Sequence, residues 1–264
     1  MRKELRFVLH SIKLNLSNSV EMRTSFLSQV IGMTLVNGAY IVMWCTFANV
    51  VGSIGGWTAW DVVAMQGFAI FSYGIVFSFM YGIARTSRYV ANGSFDQYML
   101  SPKNTLLRLA FSSIKVSALG DALFGIICLT AYAIAQKLGT VPICYILAGL
   151  FISALTMIGI RLAIESLSFR FSDPRTVTVS FFEMFMSPAN FHGGAFQGWL
   201  RFIFTFVIPS LLIGTLPVET VKHISWNTLG FLALMAVLWL CAGIWLFYRG
   251  IRRYESANLT TFGT

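Results

Sequence analysis

Lys115, Asp121, Arg161, Glu165 and Glu183 fall inside long apolar stretches. Ionisable groups in such surroundings hold ions or protons, contact a polar cargo, or pair with one another. Arg161 and Glu165 stand at i, i+4 and can pair along one helix face. Lys115 and Asp121 are six apart, which separates them around a helix, so Lys115 is expected to snorkel to the surface. Glu183 precedes Pro188 by about one turn. Capping of the freed backbone and contact with a substrate both remain open for it. Asp121, Glu183 and Phe185 are therefore candidate pathway residues, with Phe181, Phe182, Phe191 and Phe196 crowding the same region. Packing of ordinary helices is the simpler use of those rings, while an aromatic lining would suit an apolar or amphipathic cargo.

Covalent chemistry finds no foothold. The chain has no G-x-x-x-x-G-K-[ST], no H-E-x-x-H and no G-x-S-x-G. His10, His192 and His223 are scattered, and Cys45, Cys128, Cys144 and Cys241 form no C-x-x-C pair. The cysteines read as small buried hydrophobes rather than disulfides or ligands. No bound cofactor or metal is expected.

The elements that position these residues follow from composition. Of 264 residues, 56% are hydrophobic and only 11% charged, less than half the charged share of a soluble domain. This is an all-α integral membrane chain, read as one transmembrane domain over residues 1–264. The balance of 19 basic against 10 acidic residues holds loops on one side of the membrane and implies no nucleic acid. Leu5, Val8, Leu9, Ile12 and Leu16 recur at helical spacing among Arg2, Lys3, Arg6 and Lys13, so residues 1–24 are expected to form an amphipathic interfacial helix in contact with lipid. Spans are expected at about residues 25–50, 62–83, 112–135, 143–169 and 226–248. Trp57 and Trp60 are expected as interface anchors.

Residues 176–223 resist a single span. They stay apolar yet carry Pro188, Pro209 and Pro217, with Gly193, Gly194, Gly198 and Gly214. Basic residues precede the first span, fill residues 85–108, recur at Arg170 and Arg175, and follow the last span at Arg249, Arg252 and Arg253. That alternation puts both termini in the cytoplasm and requires an odd number of crossings here. One crossing plus a re-entrant outer-side hairpin over residues 196–223 satisfies it, for six spans in all. Pro209 and Gly214 would break the helix for the return, near Thr205, Ser210 and Thr215. Such backbone is tolerated in a bilayer only inside protein or at a cavity, which suggests transport rather than anchoring.

The loop RTSRYVANGSFDQYMLSPKNTLLRL, through Gly93, Asp96, Leu100 and Pro102, resembles the hydrophilic loop of ABC-2-type transporter permeases, the six-span "ABC-2 family transporter protein" group. FHGGAFQGWLRFIFTFVIPSLLIGTLPVET resembles the group's stretch before its last span, through Phe191, Leu200, Val207, Ile208, Pro209 and Pro217. The tail GIRRYESAN resembles its closing pattern through Arg252, Arg253, Tyr254 and Ser256. RLAIESLSF departs from relatives that carry aromatic and arginine residues late in the fourth span.

The resemblance implies a permease subunit of an ATP-driven exporter in a bacterial inner membrane. It implies pairing as a homo- or heterodimer and two copies of a separate cytoplasmic ATPase that binds the ATP and Mg. The absence of a nucleotide motif suits such a subunit. Residues 85–108 are then the expected coupling loop, with Arg85, Arg88, Tyr89, Asn92, Gly93, Asp96 and Tyr98 toward the ATPase. Arg170, Asp173 and Arg175 form a second contact. The competing reading is an ion-coupled secondary carrier using Asp121, Glu165 or Glu183.

Overall fold

The computed structural model describes residues 2–21, 23–51, 56–100, 103–191 and 193–254, which form helices and no strand. The described helices are α1 (Arg2–Glu21), α2 (Arg23–Val51), α3 (Ala59–Phe79), α4 (Tyr81–Ala84), α5 (Thr86–Ala91), α6 (Asp96–Met99), α7 (Thr105–Ala110), α8 (Ser117–Ala135), α9 (Thr140–Glu165), α10 (Pro174–Ala189), α11 (Gly198–Phe202), α12 (Thr215–Lys222) and α13 (Trp226–Ile251). Single 3-10 turns cover Ser166–Phe169, Gly193–Ala195 and Ser210–Leu212, and a π turn covers Ile203–Val207. Pro102, Ser256 and the rest of the tail from residue 255 lie outside the described residues, as does His192.

Five helices are long and apolar enough to cross a membrane: α2, α3, α8, α9 with its 3-10 extension, and α13. Helix α3 is the central one. It packs on α8, α9 and α12, while α2 lies on α8 and α13 on α9. Glycines set these contacts. A Cβ at Gly74 would lie 2.2 Å from the Ala122 nitrogen, one at Gly120 2.4 Å from the Val30 oxygen, and one at Gly243 2.1 Å from the Gly159 oxygen. In lipid, where tails are as apolar as leucine, close backbone approach is what holds helices together.

Two expected spans are shorter than read. The second ends at Phe79, because Met80 leaves helical geometry (φ −120°, ψ 32°) before α4 resumes. The third begins at Ser117 rather than near residue 112. The preceding segment instead runs against α3, where the Lys115 N–H donates to the Phe77 carbonyl at 3.2 Å. Trp57 is no surface anchor but is buried against Gly193 and Thr215, whereas Trp60 is exposed. Of the cysteines, Cys144 and Cys241 face out of the bundle and Cys128 is buried.

Residues 174–223 form a broken path. Asp173 caps α10, accepting from the Thr176 N–H at 3.3 Å, and Pro174 occupies the first turn. Helix α10 starts beside α5 and the Ser166–Phe169 turn and ends where the Asn190 carbonyl accepts from Gln66 at 3.1 Å. Helix α11 and the π turn lead to Pro209, where the Ile208 N–H reaches back five residues to Ile203 at 2.9 Å. The π turn absorbs the residue that the proline displaces. The Ser210 hydroxyl donates to the Ile208 carbonyl at 3.1 Å.

Ile213 is fully buried beside Ala69, Val76 and Phe185. Gly214 then turns the chain; a side chain there would press on Met65 at 3.1 Å. Helix α12, with Pro217 buried, climbs back to the start of α3, where Lys222 Nζ meets Asp61 at 2.8 Å and the Gly56 carbonyl at 3.0 Å. Arg201 forks onto Glu219, tying the two arms together.

Candidate functional site: a cationic cleft beside the short helices

Helices α4 to α7 gather at the end of the bundle opposite Asp61. The sequence marked this loop by its polarity, and the structure shows how it is held. Phe95 is fully buried, with ring centroids 5.1 Å from Phe169 and 5.2 Å from Tyr254. Asn92 ends α5, and Gly93 follows in the left-handed region (φ 70°), which glycine adopts without steric cost. Burial first, and the Asp96 carboxylate second, push the Tyr254 phenol up to about 12. It therefore stays protonated beside Asp96. Helix α1 lies under the loop, Asn15 donating to the Phe111 carbonyl at 3.1 Å and Phe7 receiving Lys103 4.2 Å above its ring.

The loop is pinned to the bundle by Glu165. This carboxylate is fully buried, pairs with Arg161, and accepts from the Ser87 N–H at 2.9 Å and the Ser168 hydroxyl at 3.3 Å. Arg161 also donates to the Ala84 carbonyl at 3.3 Å. The i, i+4 pair expected from sequence is present, and it clamps α4 and α5 onto α9.

The residues expected to meet an ATPase divide. Arg88, Asn92, Arg170, Asp173 and Arg175 are exposed; Arg85, Tyr89, Gly93 and Asp96 are half-buried. Tyr98 is buried against Tyr89, its ring centroid 5.3 Å away, and burial pushes its phenol up to about 12. Hydrogen bonds from Thr176 hold the Asp173 carboxyl below the usual range, as its capping role requires. Met99 and Leu100 were not among the residues expected at this contact. They project from the loop, Leu100 at 85% exposure, and two neighbouring exposed apolar residues after a polar stretch were the available signal.

A cleft of about 300 Å³ opens beside this loop, between α3, α5 and α10. Arg85, Arg88, Lys115, Arg161 and Arg175 line it, together with Glu183. Tyr73, Phe77 and Phe182 supply aromatic walls. Arg161 lies 4.5 Å over Phe182 and 5.5 Å over Phe77, and Lys115 donates to the Tyr73 hydroxyl at 2.9 Å. Lys115 and Glu183, unconnected in the sequence reading, thus face one space. Asp121 is elsewhere, buried, with one oxygen taking a hydrogen bond from Asn37 at 2.6 Å and the other unpartnered. Phe185 is packed into the core at 2% exposure.

A second cavity, of about 490 Å³, lies near the other end between α11, α12 and α13, with the Arg201–Glu219 pair in its wall.

Residues 34–258 match the family model described as ABC-2 family transporter protein. The chain belongs to the ABC-2 transporter family. The match takes in every element named above except α1 and the start of α2. Comparison with curated proteins and with solved structures gave no match. An ABC-2 transporter of this kind is a multi-pass membrane permease, and the family works with an ABC ATPase.

Proposed function

We propose that this chain is the permease subunit of an ATP-binding-cassette exporter in a bacterial inner membrane. It dimerises with itself or a related permease and is driven by two copies of a cytoplasmic ATPase that carries the Mg-ATP. The chain itself hydrolyses nothing. The observation that carries this reading is the clamped loop α4–α7: a rigid unit, bound to α9 through Glu165 and to the end of α13 through Phe95 and Tyr254, with Arg88, Met99 and Leu100 turned outward. A push on that unit moves the bundle rather than bending a loop.

Leu100→Asp combined with Arg88→Glu is expected to cut the ATPase recovered with the purified permease about tenfold or more, since a desolvated anchor dominates such contacts. Membrane insertion should be unchanged. Undiminished co-purification would remove this loop from the coupling role. Helix α2 supports the dimer. Leu27, Ile31, Leu35, Val36, Val42 and Met43 project from it away from the bundle, a long apolar face open to lipid or to a second permease.

The topology proposed is six crossings, with α10 as the fifth and both termini cytoplasmic. The segment from Gly198 through Lys222 then enters and leaves from the outer side. It carries only two cations, Arg201 and Lys222, each paired, fewer than the Lys and Arg on the proposed cytoplasmic side, and it is that bias in number that sets orientation. Trp199→Cys and Trp226→Cys replace residues 82% and 78% exposed. Both should react with an impermeant thiol reagent in intact cells. Protection of either one until permeabilisation would mean that the segment crosses the bilayer.

An ion-coupled carrier remains the rival. Glu165 is consumed by its clamp, which leaves Asp121, with its unpartnered oxygen, and Glu183, in the cleft lining, as that rival's residues. Transport that survives ATP depletion but stops with an ionophore would favour it.

A further inference from the structure

We propose that the cleft between α3, α5 and α10 binds the phosphate headgroup of an anionic amphiphile whose acyl chain runs outward over α10. The proposal deepens the permease reading, from which it takes only the direction of approach, the cytoplasmic leaflet.

Charge comes first. Five cations line the cleft, against one lining carboxylate, Glu183, and Glu165 behind Arg161. None of the ion pairs among the described residues involves Arg85, Arg88, Lys115 or Arg175. So dense a positive surface is unfavourable until an anion enters it, and basic pockets between membrane helices on the cytoplasmic side are suited to lipid headgroups.

The built centre is Arg161. It is 5% exposed and lines the cleft; one terminal nitrogen, Nη2, donates to both Glu165 and the Ala84 carbonyl, while the Nε–H has no acceptor. A buried charge short of a hydrogen bond is costly, and an anion in the cleft would offset that cost through its own charge. Phe77 and Phe182 hold the guanidinium plane in place for that contact. Lys115 spends one of its three N–H donors on Tyr73 and keeps the others for the same anion.

The apolar half follows from the walls. Tyr73, Phe77 and Phe182 line the cleft, and Val179 leads out of it at 45% exposure. Phe182 stands three residues on from Val179, on the same face of α10. A bare phosphate would use none of this. A docked protein could touch Arg88 and Arg175 at the surface, but not the recessed Arg161.

The test is native mass spectrometry of the purified full-length permease in neutral detergent, with phosphatidic acid as probe. Phosphatidic acid should bind and phosphatidylcholine should not. The triple variant Arg85→Gln/Arg88→Gln/Arg175→Gln should bind phosphatidic acid on the order of 100-fold more weakly. Removing the same charge at the tail, Arg249→Gln/Arg252→Gln/Arg253→Gln, should leave binding unchanged. Both variants should elute as the parent does on gel filtration.

Equal retention of the two lipids, or equal binding by the two triple variants, overturns the site. Full displacement by equimolar inorganic phosphate overturns the amphiphile. A cleft variant that keeps phosphatidic acid but loses the co-purifying ATPase makes these cations a protein contact instead. Failure to bind lipid in a permease that still co-purifies with its ATPase overturns this proposal alone.

Discussion

Glu165→Ala is expected to abolish the folded permease in detergent or to lower its melting temperature severely. The substitution strands the Arg161 guanidinium, 5% exposed, without its carboxylate, and takes the acceptor from the Ser87 N–H. Breaking a buried pair from one side costs about 3–5 kcal/mol, because the remaining charge is left uncompensated. Glu165→Gln should be milder, since the amide oxygen can still accept from Ser87. Arg161→Met/Glu165→Gln should be milder again than Glu165→Ala, since no lone buried charge remains. The measurement is fluorescence-detected gel filtration after a temperature ramp. A melting curve for Glu165→Ala that overlays the parent's would show that the clamp holds nothing.

Gly243→Leu should be of similar severity for a steric reason. Helices α9 and α13 cross with backbone against backbone. A Cβ at Gly243 would lie 2.1 Å from the Gly159 oxygen, and one at Gly159 would lie 2.5 Å from the Leu240 nitrogen. Neither neighbour is the free end of a flexible side chain, so the helices must part. The expected loss is about 3 kcal/mol or more, the upper end for overpacking. Gly230, on the same helix, has nothing within 4 Å of its Cβ position, so Gly230→Leu is the matched control and should melt as the parent does. Equal melting of the two leucine variants would remove the close crossing.

The loop shows why only part of the candidate site was legible. Its polarity between two apolar runs placed it, and Gly93 marked its turn. Its anchoring was hidden. Phe95 stands in the middle of a polar stretch and is fully buried, because α13 ends beside it and brings Tyr254 over its ring. Tyr98 was expected to reach a partner and lies inside for the same kind of reason. Helical periodicity reports which side of a segment is apolar. It does not report which segments meet.

In a membrane chain even that report is weak, since lipid satisfies an apolar face as well as another helix does. Composition alone marked the chain as membrane-embedded and helical, and spacing paired Arg161 with Glu165. Tertiary structure alone decided the partners across distance. Glu165 receives Ser87 from 78 residues away, Asp121 receives Asn37 from 84, and Lys222 reaches Asp61 across 161. It also turned Lys115, Arg161 of α9, and Arg175 and Glu183 of α10 onto one cleft. The physical reason is the glycines. They let particular backbones approach within contact distance, and that choice of crossing, which no local pattern encodes, fixes which polar groups must satisfy one another once water is gone.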